Sequence, residues 1–197
     1  MFTGALSSGV VPASARDNGP MQRPRAFGWT VAFWVALVLA ACAPALDWRE
    51  VRAQGTAATV LMPCRPQSSM RSVQLAGQAV RMSLLACKAA ELTWALGFAD
   101  VGEPAQLGVA LQALRESTLS NLLAQVERSK PAAVRGATPH EASVELHWRG
   151  RKPDGAPVQG RLVVFAHGTQ VLQALVLGDQ VPDEAAEMFL LSLRVGS

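Results

Sequence analysis

The 197-residue chain has no tyrosine, three cysteines and only 17% charged residues. Half of its residues are hydrophobic, which excludes an intrinsically disordered chain and fits one globular domain. There is no G-x-S-x-G elbow, phosphate-binding loop, dinucleotide fingerprint or H-E-x-x-H pair, so no motif of those chemistries points to an enzyme. There is no C-x-x-C either, which argues against a redox-active pair. No Lys/Arg-rich run with interleaved aromatics is present. Before Cys42, Arg16, Arg23 and Arg25 face Asp17; from Cys42 on, fifteen basic residues face fourteen acidic ones. Most of the formal charge of +3 thus precedes Cys42, and the chain's basicity gives no support to nucleic-acid binding.

One long apolar run exists. Residues Ala26 to Leu46 carry no charge, which is long enough for a bilayer span, but the strongly apolar part, Phe27 to Leu39, has the length of a signal-peptide h-region. Arg23 and Arg25 precede it as a basic n-region. Met1 to Pro20 is Ser-, Gly-, Ala- and Pro-rich without periodicity, and the segment from Met21 has the size of a normal signal, so Met21 is the expected initiator. The expected organisation is a signal peptide over residues 1–41, a tether over 42–56, and one domain over 57–197.

The elements expected in that domain are a strand over 57–62 stopped by Pro63, a hairpin of 71–75 with 78–87, and a strand over 91–99 with Leu92, Trp94, Leu96 and Phe98 on one face. A long helix follows over about 104–129, with the stripe Leu107, Leu111, Leu114, Thr118, Leu122 and Val126, closed by Arg128, Lys130 and Pro131. Strands over 142–149, 161–167 and 170–177 form a meander, and Asp183 caps a terminal helix with Ala186, Phe189, Leu190 and Leu193 inward. The fold class is therefore α+β: an antiparallel sheet of about six or seven strands covered by one long central helix and a C-terminal helix, preceded by the apolar signal helix.

Cys64 and Cys87 each close a strand. In an oxidising compartment they allow one bridge, whose loop of about 24 residues would contribute ~3 kcal/mol; two separate buried thiols are the alternative. His140, His147 and His167 lack metal-ligand spacing. Trp94, Phe98, Trp148 and Phe165 are expected in the core rather than around a ligand. Arg149, Arg151 and Lys152 read as a solvated turn.

Two resemblances add to this reading. Leu39-Ala40-Ala41-Cys42, after a basic n-region and an apolar h-region, resembles the lipobox of bacterial lipoproteins. That family resemblance implies cleavage between Ala41 and Cys42, a covalent diacylglyceryl lipid on the Cys42 thiol, acylation of the new amine, and passage through the lipoprotein processing and sorting machinery. Ala43 stands where an Asp favours retention at the inner membrane in enterobacterial members, so the resemblance favours the outer membrane. The order of elements, carried by TVLMPCRP, TWALGFAD, AHGTQVLQALVLG and AAEMFLLSLRV, resembles the PsbP/Mog-like α+β fold over about residues 57–195.

The resulting expectation is a lipid-anchored, periplasm-facing envelope protein with a non-catalytic binding, assembly or maintenance role. It would meet the membrane through its lipid, and an envelope protein as partner, with no nucleic acid, metal or further cofactor. The alternatives are a small envelope hydrolase with an unrecognised site, favoured by a pocket with convergent polar groups, and a signal-anchored component of an inner-membrane complex, favoured by an exposed apolar patch.

Overall fold

The computed structural model describes residues 46–75 and 77–196. Cys42, Ala41, the lipobox and the apolar signal segment lie outside the described residues.

Among the described residues, ten strands and two α-helices follow one another in the order β1 (Arg49–Arg52), β2 (Ala58–Met62), β3 (Gln67–Leu75), β4 (Gln78–Ala89), β5 (Leu92–Asp100), α1 (Leu107–Asn121), β6 (Gln125–Pro131), β7 (Val144–Arg151), β8 (Pro157–His167), β9 (Gln170–Gly178), α2 (Asp183–Leu191) and β10 (Arg194–Val195). A 3₁₀ turn at Pro104–Gln106 leads into α1. Seven strands form one sheet in the order β3-β4-β5-β9-β8-β7-β6, and β1-β2-β10 form a second. All pairings within both sheets are antiparallel.

Alternation along the central strands loads both faces of the large sheet. Trp94, Leu96 and Phe98 of β5, Val163 and Phe165 of β8, and Leu172, Ala174 and Val176 of β9 point to one face. There they meet Ala58, Val60 and Met62 of β2 and Ala186, Phe189 and Leu190 of α2. The residues in between, Leu162, Val164 and Ala166 of β8 and Val171 of β9, point to the other face and meet Leu107, Ala110, Leu111 and Leu114 of α1. Full burial of each such side chain contributes about 1.5–3 kcal/mol, so a strand apolar on both faces is held at the centre of the sheet. Gly160 of β8 lies under the indole of Trp148: a Cβ there would stand 2.5 Å from the ring and from Val176 O.

The architecture is sheet-rich, and the expected covering by helices needs correction. The helix expected over 104–129 ends at Asn121, and residues 125–131 form an edge strand instead. A Schellman closure stops it: Ala124 N–H donates to Leu119 O at 2.8 Å and Leu123 N–H to Ser120 O at 3.1 Å, with Leu123 in the left-handed region at φ 45°. Gly is the usual residue there, and its absence let the apolar stripe read on through Val126. The seven strands of the large sheet are also not those expected. β2 leaves for the second sheet, β6 joins, and α2 shares its face with that second sheet.

Two smaller corrections concern the ends. The expected tether over 42–56 contains β1, and Trp48 and the buried Ala53 belong to the core around Trp94. Trp48 stacks edge-on against Trp94 with centroids 5.6 Å apart, because that much aromatic surface is more stable packed than solvated. Pro182, not Asp183, is the N-cap of α2, and no side chain caps it; Asp183 instead opens the first turn, where its charge complements the helix dipole.

Candidate functional site

Cys64 and Cys87 are joined by a disulfide, with their Cα atoms 6.0 Å apart. Cys64 follows β2 and Cys87 lies in β4, so the bridge ties the second sheet to the large one. The chain enters the domain at the same end: Asp47 N–H donates to Pro63 O at 2.8 Å, and Leu46 packs on the core.

The described histidines do not converge. His140 Nδ1 accepts a hydrogen bond from Ala142 N–H at 3.0 Å, and His167 Nδ1 lies 3.1 Å from Gly136 O. Among the described residues, no group of three His, Cys, Asp or Glu side chains could hold a metal ion. Trp94, Trp148, Phe98 and Phe165 are buried, with Trp94 and Phe98 in one core and Trp148 in the other. Arg149, Arg151 and Lys152 meet different partners: Glu127 at 3.1 Å, Gly155 O at 3.1 Å and Asp179 at 2.8 Å.

The notable polar feature is one the sequence pattern hid. Glu145 and His147 alternate with apolar residues on β7 and therefore read as solvent-facing. In the fold they lie on the face that α2 shares, and Glu145 is only 7% exposed. Arg161 of β8 is 6% exposed and donates through Nη2 to Glu145 Oε1 at 2.9 Å. Lys130 Nζ stands 3.1 Å from the other carboxylate oxygen, and His147 Nε2 stands 3.5 Å from Oε1. Asp183 and Glu187 of α2 approach Arg161 Nη1 at 3.7 and 3.9 Å. The one available signal was the acid–base pairing of residues 145 and 161 across a hairpin whose register the sequence leaves open.

Burial alone would raise the pKa of Glu145. The hydrogen bonds and charges of Arg161 and Lys130 outweigh it and hold the carboxyl below its ordinary value. Burial lowers the pKa of His147, and the charge of Arg161 adds to that; Glu145 pulls the other way and does not win. At neutral pH the cluster therefore holds an ionised carboxylate, a guanidinium and a neutral imidazole. Glu145 is shared by Arg161 and Lys130, which fastens the strands, while Arg161 Nε and Nη1 are buried with no hydrogen-bond partner among the described residues.

Two open hollows flank the sheet ends. One, about 590 Å³, is bounded by the 131–143 loop and floored by Phe165, and its lining is largely Ala, Pro and Val. Gly136 is required in that loop, because a Cβ there would collide with Val195 O, and its φ is +79°. The other, about 610 Å³, lies between Lys88, Glu91, Thr93, Lys152, Leu177 and Asp179. Its Lys152–Asp179 pair is closed on itself.

No protein-family model matches the chain, and no curated protein matches it in sequence. Among solved structures, the chain is similar to the solution structure of cyanobacterial PsbP (CyanoP) from Synechocystis sp. PCC 6803, with a TM-score of 0.47 and 9% identity over 79% of this chain and 96% of that one. The likeness concerns the arrangement of strands and helices alone.

Proposed function

We propose that this chain is a lipid-anchored cell-envelope protein, processed between Ala41 and Cys42, whose domain works at the membrane surface by binding or assembly and not by catalysis. In this reading the lipid on Cys42 is its membrane partner and only covalent cofactor, the lipoprotein processing and sorting machinery handles it, and the outer membrane is favoured. Its ligand is a protein of the envelope. Nucleic acid plays no part. We read the domain as a variant of the PsbP-like α+β fold, on the strength of its element order.

The observation that carries the reading is the closeness of the lipobox to the folded domain. Leu46, the first described residue, already packs on the core, four residues after Cys42. Those residues span at most about 14 Å even when extended. A lipid on Cys42 therefore holds the entry end of the domain directly over the headgroups, and two or three acyl chains make such anchoring durable. The Cys64–Cys87 disulfide supports an oxidising compartment. The self-neutralised Glu145–Arg161 cluster supports a structural role for the buried charges.

The test is the intact mass of protein extracted from membranes, wild type beside Cys42→Ala. A wild type that begins at Cys42 with two or three acyl chains, beside a variant that keeps residues 21–41, is the expected result. A wild type that retains Phe27 to Leu39 without lipid would overturn the reading in favour of a signal anchor.

A further inference from the structure

Charge is distributed unevenly over the domain. Between Glu50 and Glu91 there is no acidic residue, while Arg52, Arg65, Arg71, Arg81 and Lys88 all fall there. That leaves ten basic against fourteen acidic residues in the rest of the chain from Cys42 on. Arg52 pairs with Glu50. The other four sit on or beside the β3–β4 ribbon, all are exposed, and none forms an ion pair among the described residues.

The two edges of the large sheet contrast sharply. At the β6 edge two of the three charges are matched, Glu127 with Arg149 and Lys130 with Glu145, a register irregularity interrupts the ladder between Val126 and Arg128, and Pro131 ends it. Such features blunt an edge. The β3 edge runs regularly against β4 over nine consecutive pairs, from Gln67–Ala86 to Leu75–Gln78, with Met70 63% exposed and Arg71 its one charge.

Resting on the lipid-anchor reading, we propose that this basic β3–β4 ribbon is the surface with which the domain lies edge-on against the anionic phospholipid headgroups of the bilayer that holds its lipid. Three observations select that occupant. First, the ribbon starts beside Asp47, which is five residues from Cys42 in the chain. Pro63 O accepts from Asp47 N–H, Arg65 follows two residues later, and Lys88 adjoins Cys87, which is bonded to Cys64. Secondly, the cations spread instead of converging. Arg71 opposes Met82 and Arg81 opposes Ser72, so the two arginines project from opposite faces of the ribbon, one step of register apart. Arg65 precedes β3 and stands six residues, at most about 20 Å, before Arg71. A small anion or a single acidic strand could not meet all four, whereas a plane of headgroups can, because long basic side chains reach down from both faces. Thirdly, exposed Met70 sits among them as an apolar contact for the interface. Juxtamembrane clusters of four or more basic residues are attracted to anionic leaflets within a Debye length.

The test uses the full chain purified from membranes and placed in nanodiscs of phosphatidylcholine, with or without phosphatidylglycerol, each doped with a nitroxide-headgroup lipid. Amide relaxation enhancement is read. The amides of Arg65, Arg71, Arg81 and Lys88 are expected to broaden several-fold more than those of Val126 and Ser129 on β6, the opposite edge of the sheet, and only in anionic discs. Salt at about 0.5 M and the exposed-site variant R65Q/R71Q/R81Q/K88Q should each abolish the difference; R71Q alone should reduce it. Equal broadening in neutral and anionic discs, or a ribbon that shifts with added polyglutamate but not with phosphatidylglycerol, would overturn the proposal. The intact mass of the same sample reports on Cys42 separately, so a chain without lipid would sink the anchor reading and leave the ribbon result standing or falling by itself.

Discussion

Arg161 on β8 donates to Glu145 on β7 at 2.9 Å while both side chains are more than nine-tenths buried. The pair is off-register by two residues, since Arg161 opposes His147 and Glu145 opposes Val163. The guanidinium therefore reaches diagonally across the ladder and fills the space under the start of α2.

Removing one partner of such a pair strands the other. Arg161→Leu should destabilise the domain by about 3 kcal/mol, with Glu145 left to the more exposed Lys130. Glu145→Leu combined with Arg161→Leu should recover most of that loss, since a well-packed apolar pair can replace a buried ion pair. Urea denaturation of the three proteins checks this. A cost below about 1 kcal/mol for the single variant would show that the pair behaves as a surface contact.

Stability should fall with acidity in two stages. The pKa of His147 is lowered in the fold from 6.5, so its contribution is complete above 6.5 and is lost as pH falls through the lower folded value. The pKa of Glu145 is lowered from 4.5, so its contribution is present above 4.5 and is lost as pH falls further. Thermal melts should therefore decline first below about pH 6.5 and again below about pH 4.5. His147→Gln should flatten the first decline and leave the second.

Reduction of the Cys64–Cys87 bridge should cost about 3 kcal/mol, because it releases the chain entropy of a 23-residue separation in the unfolded state. The melting temperature should fall with reductant in the wild type and stay unchanged in a Cys64→Ser/Cys87→Ser variant. Intact mass should rise by about 2 Da on reduction, the two hydrogens added to one bridge.

Among the described residues, three non-glycine residues hold positive φ: Ala90 and Glu91 in the two-residue turn between β4 and β5, and Leu123 at the end of α1. Turns with two residues of positive φ favour Asn-Gly, and a left-handed helix end favours Gly. Ala90→Asn with Glu91→Gly, and separately Leu123→Gly, should each stabilise the domain by about 1 kcal/mol. Differential scanning calorimetry would read this as a rise in melting temperature; a fall would show that the side chains at these exposed positions do more than occupy a turn.

Those same positions explain where prediction stopped short. The β4–β5 turn has no Gly or Asn, and Leu123 carries no sign of a helix end, so the pattern gave the elements without their boundaries. Strand alternation was legible wherever one face met a continuous core, as in Leu92, Trp94, Leu96 and Phe98. It misled at Glu145 and His147, because a polar face looks solvated until a helix is known to lie above it. The helix stripe was legible as far as Leu122, which still packs on the core beneath α1, beyond which Val126 extends it in sequence but not in space. Arg65, Arg71, Arg81 and Lys88 are 23 residues apart from first to last, and nothing local marks them as one surface.

Local chemistry fixed the apolar segment, the Leu39-Ala40-Ala41-Cys42 stretch that resembles a lipobox, the two-faced central strands and the residues able to form a disulfide. These depend on composition and on spacing over a few residues, where side-chain period and polarity suffice. The partition of strands between two sheets, the conversion of residues 125–131 from helix to edge, the burial of Glu145 with Arg161 and the gathering of unpaired cations on β3–β4 were settled by the fold. Each is a contact between segments distant in sequence, and its energy depends on register and on what covers each face. No window of neighbouring residues contains that information.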